Sequence, residues 1–302
     1  MKTLVTGGTG FVGKALVSAL RDAGGELVVP SRSLERARRT FRQSQIEVVS
    51  WDGRSTLDLR GVDRIVHLAG EPAVGRRYTS ALKQEIWASR VESARALTES
   101  IRLAGTHGPT VFVSASGVGY YGPREPHEPC KEDDPPGKDF LAKVCVDWEQ
   151  AVREAESLGV RTASLRFGVV LGKRGGALAV MARPFQAMVG GPLGDGRQMF
   201  PWVHEEDAVR ALIFALERRD VRGPLNLAAP EFVSNEEFSK ALGRALHRPS
   251  FLRAPAFALR ALFGEGAEPL LTGQRAVPDR LTSLGFTFRF SKLDEALRDC
   301  FS

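Results

Sequence analysis

Thr6-Gly7-Gly8-Thr9-Gly10-Phe11-Val12-Gly13 is the segment from which the fold of this 302-residue chain can be inferred. It directly follows a short β-type run, Lys2 to Thr6, and it opens a segment, Lys14 to Ala23, whose apolar residues recur at helical spacing. A glycine-rich turn between a strand and a helix is typical of a phosphate-binding site, because the free N–H groups and the dipole of the helix start favour negative charge. Its glycines recur at every third position, as Gly7, Gly10 and Gly13. In that order we expect them to permit the tight turn, the close approach of the backbone to a pyrophosphate, and the packing of the helix against the strand.

Short apolar runs alternate with helix-like segments through the first half of the chain. The runs predicted as strands are Lys2–Thr6, Leu27–Pro30, Glu47–Ser50, Arg64–Leu68, Thr110–Ser114 and Thr162–Leu165. Their alternation predicts an α/β fold, a doubly wound parallel sheet of the Rossmann type with helices on both faces. The pattern weakens after Gly172, and from Pro230 the chain is mainly helical, which indicates a smaller, mostly helical carboxyl-terminal lobe. We therefore predict that residues 1–172 and 201–229 form a dinucleotide-binding domain, and that residues 173–200 and 230–302 form a lobe on the substrate side.

Composition excludes several other classes of protein. The apolar fraction of 43% is that of a soluble globular protein, and no apolar run reaches the roughly 18 residues of a membrane span. Without a secretory signal pattern, the sequence predicts a cytoplasmic protein with no membrane partner. The cysteines are scattered, so no metal site is expected. The net charge of +6 admits nucleic-acid binding, but no helix-turn-helix, zinc finger or aromatic-basic pattern accompanies it, so we predict a small-molecule substrate and no nucleic acid.

The end of the second predicted strand indicates which dinucleotide is bound. Sites that prefer NAD place an acidic residue about 20 residues after the glycines, whereas NADP sites place an arginine nearby. Here the strand ends in Pro30-Ser31-Arg32-Ser33, with no acid. Ser31 can hydrogen-bond a 2′-phosphate and Arg32 can pair with it, so the sequence favours NADP(H). The alternative is that Arg32 simply extends into water.

Several further motifs resemble one group within the atypical and extended short-chain dehydrogenases/reductases. They are Gly70-Glu71-Pro72, Gly119-Tyr120-Tyr121-Gly122, Gly168-Val169-Val170-Leu171-Gly172 and Phe200-Pro201-Trp202-Val203-His204. The group is that of the "epimerase family proteins", which are similar to nucleotide-sugar epimerases. The resemblance covers nearly the whole chain and includes Arg248–Ser302, which is similar to the characteristic carboxyl-terminal segment of the group.

The resemblance implies additional cofactor contacts. Asp52 matches an acidic residue that lies near the adenine in this superfamily. The end of the fourth strand matches a segment whose backbone lies along the cofactor. With the glycine turn included, the implied cofactor-binding residues are Gly7, Thr9, Gly10, Phe11, Val12, Gly13, Ser31, Arg32, Asp52, Leu68, Ala69, Gly70, Glu85, Arg90 and Val170. For Glu85 and Arg90 the resemblance alone carries the prediction, because their i, i+5 spacing does not place them on one stripe of a helix.

The chain departs from the resemblance where the chemistry is concerned. Active members of the superfamily usually carry Tyr-x-x-x-Lys, in which the tyrosine is the general acid or base. If Phe140 takes the tyrosine position, Val144 takes the lysine position, and Lys143 is turned about 100° away around the helix. Replacement residues are predicted at a strand end and in the loop after it, and they are Ser116, Tyr120 and Tyr121. The alternative for the two tyrosines is that one packs in the core while the other shapes a substrate pocket.

Two functional hypotheses follow. In the first, the protein is an NADP(H)-dependent oxidoreductase or a nucleoside-diphosphate-sugar epimerase that acts on a carbonyl or an alcohol of a small molecule. In the second, it is a catalytically silent NADP(H)-binding redox sensor or scaffold, because the Tyr-x-x-x-Lys pair is missing. The sequence does not decide between a monomer and a homodimer.

Overall fold

The computed structural model describes residues 1–42, 46–173 and 175–302. The strands are β1 (Lys2–Thr6), β2 (Glu26–Ser31), β3 (Ile46–Ser50), β4 (Arg64–His67), β5 (Val111–Gly117), β6 (Pro129–Cys130), β7 (Arg161–Phe167), β8 (Val169–Leu171), β9 (Trp202–His204), β10 (Gly223–Leu227) and β11 (Arg275–Ala276). The helices are α1 (Phe11–Asp22), α2 (Leu34–Thr40), α3 (Ser80–Ala104), α4 (Phe140–Arg153), α5 (Gly176–Gln186), α6 (Glu205–Glu217), α7 (Asn235–Leu246), α8 (Ala256–Phe263), α9 (Glu268–Leu271), α10 (Asp279–Ser283) and α11 (Leu293–Phe301).

The main sheet is parallel throughout. Within the described ranges it has seven strands in the order β10-β7-β5-β4-β1-β2-β3. This order, together with the helices around the sheet and the helical carboxyl-terminal region, confirms the predicted doubly wound Rossmann fold. The strand order reverses between β1 and β4, and ligands of such sheets bind outside the carboxyl ends of the strands at this point.

One strand of the sheet was not predicted. Residues 201–229 were predicted to belong to the sheet domain, but no strand was predicted among them. The edge strand β10 lies in that segment, and it pairs with β7 from Gly223↔Ala163 to Leu227↔Phe167. Pro224 and Asn226 interrupt its apolar run, so the pattern typical of a strand is too short to recognise.

Apolar residues on both faces of the sheet form two separate cores. One core joins residues of α1 and α6 to the sheet, and the other joins residues of α3 and α4 to the opposite face. Burial on both faces is what makes the strands nearly continuous apolar runs. Among the described residues, no helix is both long enough and apolar enough to cross a bilayer.

A third core belongs to the carboxyl-terminal region, where residues of α5, α7 and α11 pack together. Helix α5 lies in the segment 173–200 and was not predicted, because the many glycines of this segment obscure its helical pattern. Leu281 and Phe286 depart from the predicted domain boundaries, because they pack into the core on the α1 side of the sheet rather than into this third core. The buried carboxylate of Asp207 in α6 also accepts the backbone N–H groups of Arg289 and Phe290, both at 2.8 Å. Residues 281–290 are therefore attached to the sheet domain, and the remainder of the domain division stays a prediction.

Candidate functional site

The glycine turn has the geometry that its sequence led us to expect. Gly7 has a φ of +67°, and a Cβ atom there would lie 2.6 Å from the carbonyl carbon of Leu68. A Cβ at Gly13 would lie 2.2 Å from the carbonyl oxygen of Gly7, so the helix packs directly on the turn. Gly10 precedes α1 and its N–H donates to the carbonyl of Gly7 at 2.8 Å, and a Cβ there would meet only that same oxygen, at 3.0 Å. The exposed side of the turn is therefore open at the start of the helix, where a phosphate group is expected.

The ring of Phe11 joins this turn to the segment that follows β8. A Cβ at Gly172 or at Gly176 would lie 2.7 Å from a carbon of the Phe11 ring. In β8 itself, Val170 is half-buried and pairs with Val203 of β9. The structure thus brings together Phe11, beside Val12 and Thr9 in the turn, and the segment of Val170.

A free cation stands at the carboxyl end of β2. Arg32 is exposed, and within the described ranges it makes no hydrogen bond or ion pair. Ser31 is occupied locally: its hydroxyl donates to the carbonyl of Ser33 at 3.1 Å and accepts the Ser33 N–H at 3.2 Å. Ser33 in turn caps α2 by accepting the Arg36 N–H. The loop that carries Arg32 is therefore ordered by its serines, while the guanidinium is left available.

Asp52 is exposed beyond the end of β3. Its Oδ1 accepts hydrogen bonds from the N–H groups of Ser55 and Arg54 and from the Ser55 hydroxyl, each at 2.8 Å. These bonds, that of the Ser55 N–H first, lower the pKa of Asp52 to about 2. The carboxylate is charged at neutral pH and shapes the turn from Asp52 to Ser55, and contact with an adenine stays a prediction.

The two residues predicted on α3 lie in different environments. Arg90 is mostly buried, lies over the Trp148 ring at 5.5 Å, and has no carboxylate at ion-pair distance among the described residues. Its burial lowers the pKa of the guanidinium. A Cβ at Gly70 would lie 3.1 Å from the Arg90 guanidinium carbon, which places that cation at the end of β4 beside Leu68 and Ala69. Glu85 is exposed elsewhere on the helix, so the structure does not bring it to Arg90.

The last residue of β4, His67, is a buried histidine whose two ring nitrogens both have hydrogen-bond partners. The ring of His67 lies between the hydroxyls of Thr6 and Ser93, at 2.7 Å from Nδ1 and 3.1 Å from Nε2. Burial lowers the pKa of His67 to about 4, so the ring is neutral. The sequence analysis noted this residue only as part of the fourth strand.

The hydroxyl of Ser116, the first of the predicted catalytic residues, is already engaged. It donates to Oε1 of Glu149 at 2.7 Å, and that buried carboxylate binds both Nε and Nη2 of Arg166, at 2.8 and 2.9 Å. While Ser116 donates to Glu149, it cannot also donate its proton to a substrate carbonyl. Glu149 and Arg166 were not predicted as functional residues. Arg166 directly follows the apolar run Thr162–Leu165, and a charge at the end of a buried strand requires a partner of opposite charge.

The two predicted tyrosines have opposite surroundings. Tyr121 is 1% exposed, donates to Oδ1 of Asn226 at 2.7 Å and accepts from Nη1 of Arg166 at 3.0 Å. Burial raises its pKa above the usual value, so Tyr121 fits a structural role and not the proton transfer predicted from the sequence. Tyr120 is half-buried, its ring stacks on the Arg166 guanidinium at 3.4 Å, and its hydroxyl has no partner in the described part of the chain. Of the three residues predicted as catalytic, only Tyr120 offers an unengaged hydroxyl.

Apolar groups fill the place of the superfamily's tyrosine and lysine. Val144 is buried against Leu82 and Ile86, and Phe140, the first residue of α4, packs beside them. The neighbouring Cys145 is a buried thiol whose pKa is raised by burial to about 11. The described residues hold no cluster of histidine, cysteine and acidic side chains that is suited to a metal ion.

The strand order, the glycine turn at the switch point and the free cation after β2 define a Rossmann dinucleotide-binding protein of the short-chain dehydrogenase/reductase type. Residues 3–228 match the family model described as the NAD dependent epimerase/dehydratase family, and residues 254–300 match a domain of unknown function, DUF1731. The chain therefore belongs to the NAD-dependent epimerase/dehydratase family, and the resemblance inferred from its motifs is confirmed.

The relatives are similar over nearly the whole of this chain. The mouse epimerase family protein SDR39U1 is 39% identical over 99% of both chains, and the chloroplastic homologue from Arabidopsis thaliana is 40% identical over 99% of this chain and 86% of its own. A crystal structure of human SDR39U1 (isoform 2) with NADPH matches with a TM-score of 0.88 at 34% identity, over 100% of this chain and 99% of that one. The crystal structure of the nucleoside-diphosphate sugar epimerase from Corynebacterium glutamicum matches with a TM-score of 0.80 at 32% identity, over 100% of this chain and 58% of that one.

We predict that Glu149→Gln destabilises the protein strongly, because it leaves the Arg166 guanidinium buried without a counter-charge. Breaking a buried ion pair from one side typically costs about 3–5 kcal/mol. The free energy of unfolding from urea denaturation measures this effect. The control is Glu128→Gln, which removes the partner of Arg124 in a more exposed pair and should cost at most about 1 kcal/mol. Equal, small losses in both variants would show that Glu149 does not hold the network.

We also predict a loss of stability in acid that depends on His67. Its pKa is about 4 in the folded protein and 6.5 as the unperturbed value, so its contribution is present above pH 6.5 and is lost as the pH falls toward 4. The loss should be roughly 3 kcal/mol, since one pKa unit corresponds to about 1.4 kcal/mol. Urea unfolding at pH 7 and pH 4.5 should show a shallower acid dependence for His67→Gln than for wild type, whereas the exposed His127→Gln should match wild type. An unchanged slope in His67→Gln would refute the assignment.

Proposed function

We propose that this protein binds NADP(H) across the carboxyl ends of β2, β1 and β4. The observation that carries the proposal is Arg32, an exposed guanidinium without a partner among the described residues, placed one residue beyond β2. No acid follows β2 at that point to repel a phosphate or to hold a ribose 2′-hydroxyl. A 2′-phosphate would gain a charge-assisted hydrogen bond from Arg32 that NADH lacks.

The rest of the site fits the same ligand. The open face of Gly10 at the start of α1 suits a pyrophosphate. Arg90, which has no carboxylate partner among the described residues, adds a second cation beside Gly70 at the end of β4. The NADPH in the crystal structure of the human relative supports the choice of cofactor. The residues predicted from the sequence at the glycine turn, after β2, after β4 and on α3 would hold the cofactor, with Asp52, Glu85 and Val170 at its margins.

The chemistry we propose is oxidoreduction or epimerisation at a carbonyl or alcohol of a small molecule. The cofactor, when bound, supplies or accepts a hydride. In this chain the free hydroxyl of Tyr120 is the proton-handling group, and stacking on Arg166 fixes the orientation of its ring. Ser116 would orient the substrate by accepting a hydrogen bond from it, because the Ser116 hydroxyl already donates its hydrogen bond to Glu149. A cytoplasmic location and the absence of nucleic-acid and membrane partners remain part of the proposal.

A second candidate, a catalytically silent NADP(H)-binding sensor or scaffold, is favoured by a different observation. The hydroxyls of Ser116 and Tyr121 are engaged within the protein, and apolar side chains occupy the tyrosine and lysine positions on α4. Such a protein needs the glycine turn and Arg32 but no proton-transfer group.

Arg32→Ala should weaken NADPH binding by about tenfold to a hundredfold and leave NADH binding unchanged. Loss of a hydrogen bond to a charged group costs about 1.5–3 kcal/mol, and 1.4 kcal/mol corresponds to a factor of ten. Fluorescence titration with NADPH and NADH measures both affinities. Arg39→Ala, which removes a cation already paired with Glu35, is the matched control and should bind as wild type does. If wild type binds neither nucleotide, or both equally well, the proposal is wrong.

NADPH oxidation with a panel of aldehydes and ketones separates the two candidate functions. For an enzyme, Tyr120→Phe should lower kcat by about a hundredfold or more while the Kd for NADPH stays the same, as expected for loss of a general acid. Tyr121→Phe should instead lower the melting temperature, because Asn226 and Arg166 lose a partner. Tight NADPH binding without oxidation by any member of the panel would favour the silent binder.

A further inference from the structure

Tyr78 has a hydroxyl that is buried and has no hydrogen-bond partner among the described residues. Buried polar groups of native proteins are nearly always paired, so this hydroxyl needs a partner that the described residues do not supply, either a water molecule or a ligand. Of the three tyrosines in the chain, Tyr121 is satisfied internally and Tyr120 reaches solvent, so only Tyr78 combines burial with an unused donor.

Tyr78 lies in the loop that joins β4 to α3, beside the first residue of α4. Its ring packs edge to face on Phe140, the first residue of α4, with 5.5 Å between the ring centroids. The charged groups that act on its hydroxyl are Glu265, Arg90 and Asp139. Since the Arg90 guanidinium lies against Gly70, the hydroxyl of Tyr78 and this cation belong to the same region, beyond the carboxyl end of β4.

This region lies opposite Arg32 across the glycine turn. The sheet order runs β5-β4-β1-β2, so β2 and Arg32 lie on one side of β1, while β4 lies on the other. A dinucleotide whose pyrophosphate rests on the turn, and whose 2′-phosphate meets Arg32, must extend its nicotinamide half over β4. There Val144 is apolar and cannot hold a ribose hydroxyl, so that hydroxyl needs a donor from another residue at this end of the sheet.

The carboxyl-terminal region holds the segment that carries Tyr78. A Cβ at Gly266 would lie 1.8 Å from the carbonyl oxygen of Arg76, so the turn Gly264–Ala267 is seated directly on this segment. Lys83 at the start of α3 pairs with Glu265 at 2.5 Å, and Arg77 donates to the carbonyl of Ala261 at 3.3 Å. The turn therefore fixes the position of Tyr78 relative to β4.

We propose that the Tyr78 hydroxyl donates a hydrogen bond to an oxygen atom of the nicotinamide half of the bound dinucleotide, and that the turn Gly264–Ala267 positions it to do so. The inference rests on the proposed binding of NADP(H) and names the residue that recognises its second half. Burial raises the pKa of Tyr78 to about 12, so the hydroxyl remains a donor at neutral pH.

The test compares NADPH with adenosine 2′,5′-bisphosphate, which carries only the adenine half, by calorimetric titration of the full chain. Tyr78→Phe should weaken the binding of NADPH about threefold to tenfold, the effect of one lost hydrogen bond, and should leave the affinity for the bisphosphate unchanged. Arg32→Ala is the matched control for the adenine half and should weaken the binding of both ligands. Without ligand, Tyr78→Phe should melt at the wild-type temperature or above it, because it removes an unsatisfied buried group. With saturating NADPH, its melting temperature should rise by less than that of wild type.

The outcomes separate the inference from the function on which it rests. If wild type binds neither ligand, the proposed function fails and the inference fails with it. If wild type binds both, but Tyr78→Phe binds NADPH equally well or loses both ligands together, the inference alone is overturned. Glu265→Gln tests the positioning without altering Tyr78: weaker binding of NADPH only would support it, and unchanged binding would overturn the role of the turn.

Discussion

The buried ion pair between Arg166 and Glu149 fixes the geometry of one whole side of the site. The charge of Arg166 in β7 is neutralised by Glu149 in α4, and this carboxylate also accepts the Ser116 hydroxyl of β5. The other edge of the guanidinium binds the Tyr121 hydroxyl and the carbonyl of Glu132, and its face carries the Tyr120 ring. Because a charge inside a protein is tolerated only when it is paired and hydrogen-bonded, none of these groups can move independently of the others.

This constraint divides the carboxyl edge of the sheet into two regions of different character. Around β2 and β1 the donors are free, namely the open turn at Gly10 and the guanidinium of Arg32. Around β5 and β7 the described polar groups are mostly satisfied by one another, and among Ser116, Tyr120 and Tyr121 the free hydroxyl belongs to Tyr120. The first region is suited to holding an anionic ligand, whereas the second limits which proton transfers the protein can support.

The carboxyl-terminal segment is attached to the rest of the chain at two places. It matches a domain to which no function is assigned, yet its turn at Gly264–Ala267 touches the loop before α3, and its residues 281–290 attach to the sheet domain. A segment held at both places keeps a fixed position relative to the loop before α3 and to α6, without contributing a strand to the main sheet. This arrangement gives the segment a physical task that its sequence did not reveal.

The glycine turn, the parallel sheet and the cation after β2 were determined by the sequence alone, because each depends on residues that are neighbours along the chain. A glycine with positive φ, a strand–turn–helix order and the absence of an acid after β2 are all local facts. The prediction failed where local signals were weak, at the proline-interrupted strand β10 and at the glycine-flanked helix α5. Only the tertiary structure decided which hydroxyls are free, because hydrogen-bond partners come from distant parts of the chain. Tyr121 meets Asn226 across a separation of 105 residues, and no spacing in the sequence distinguishes it from Tyr120 beside it.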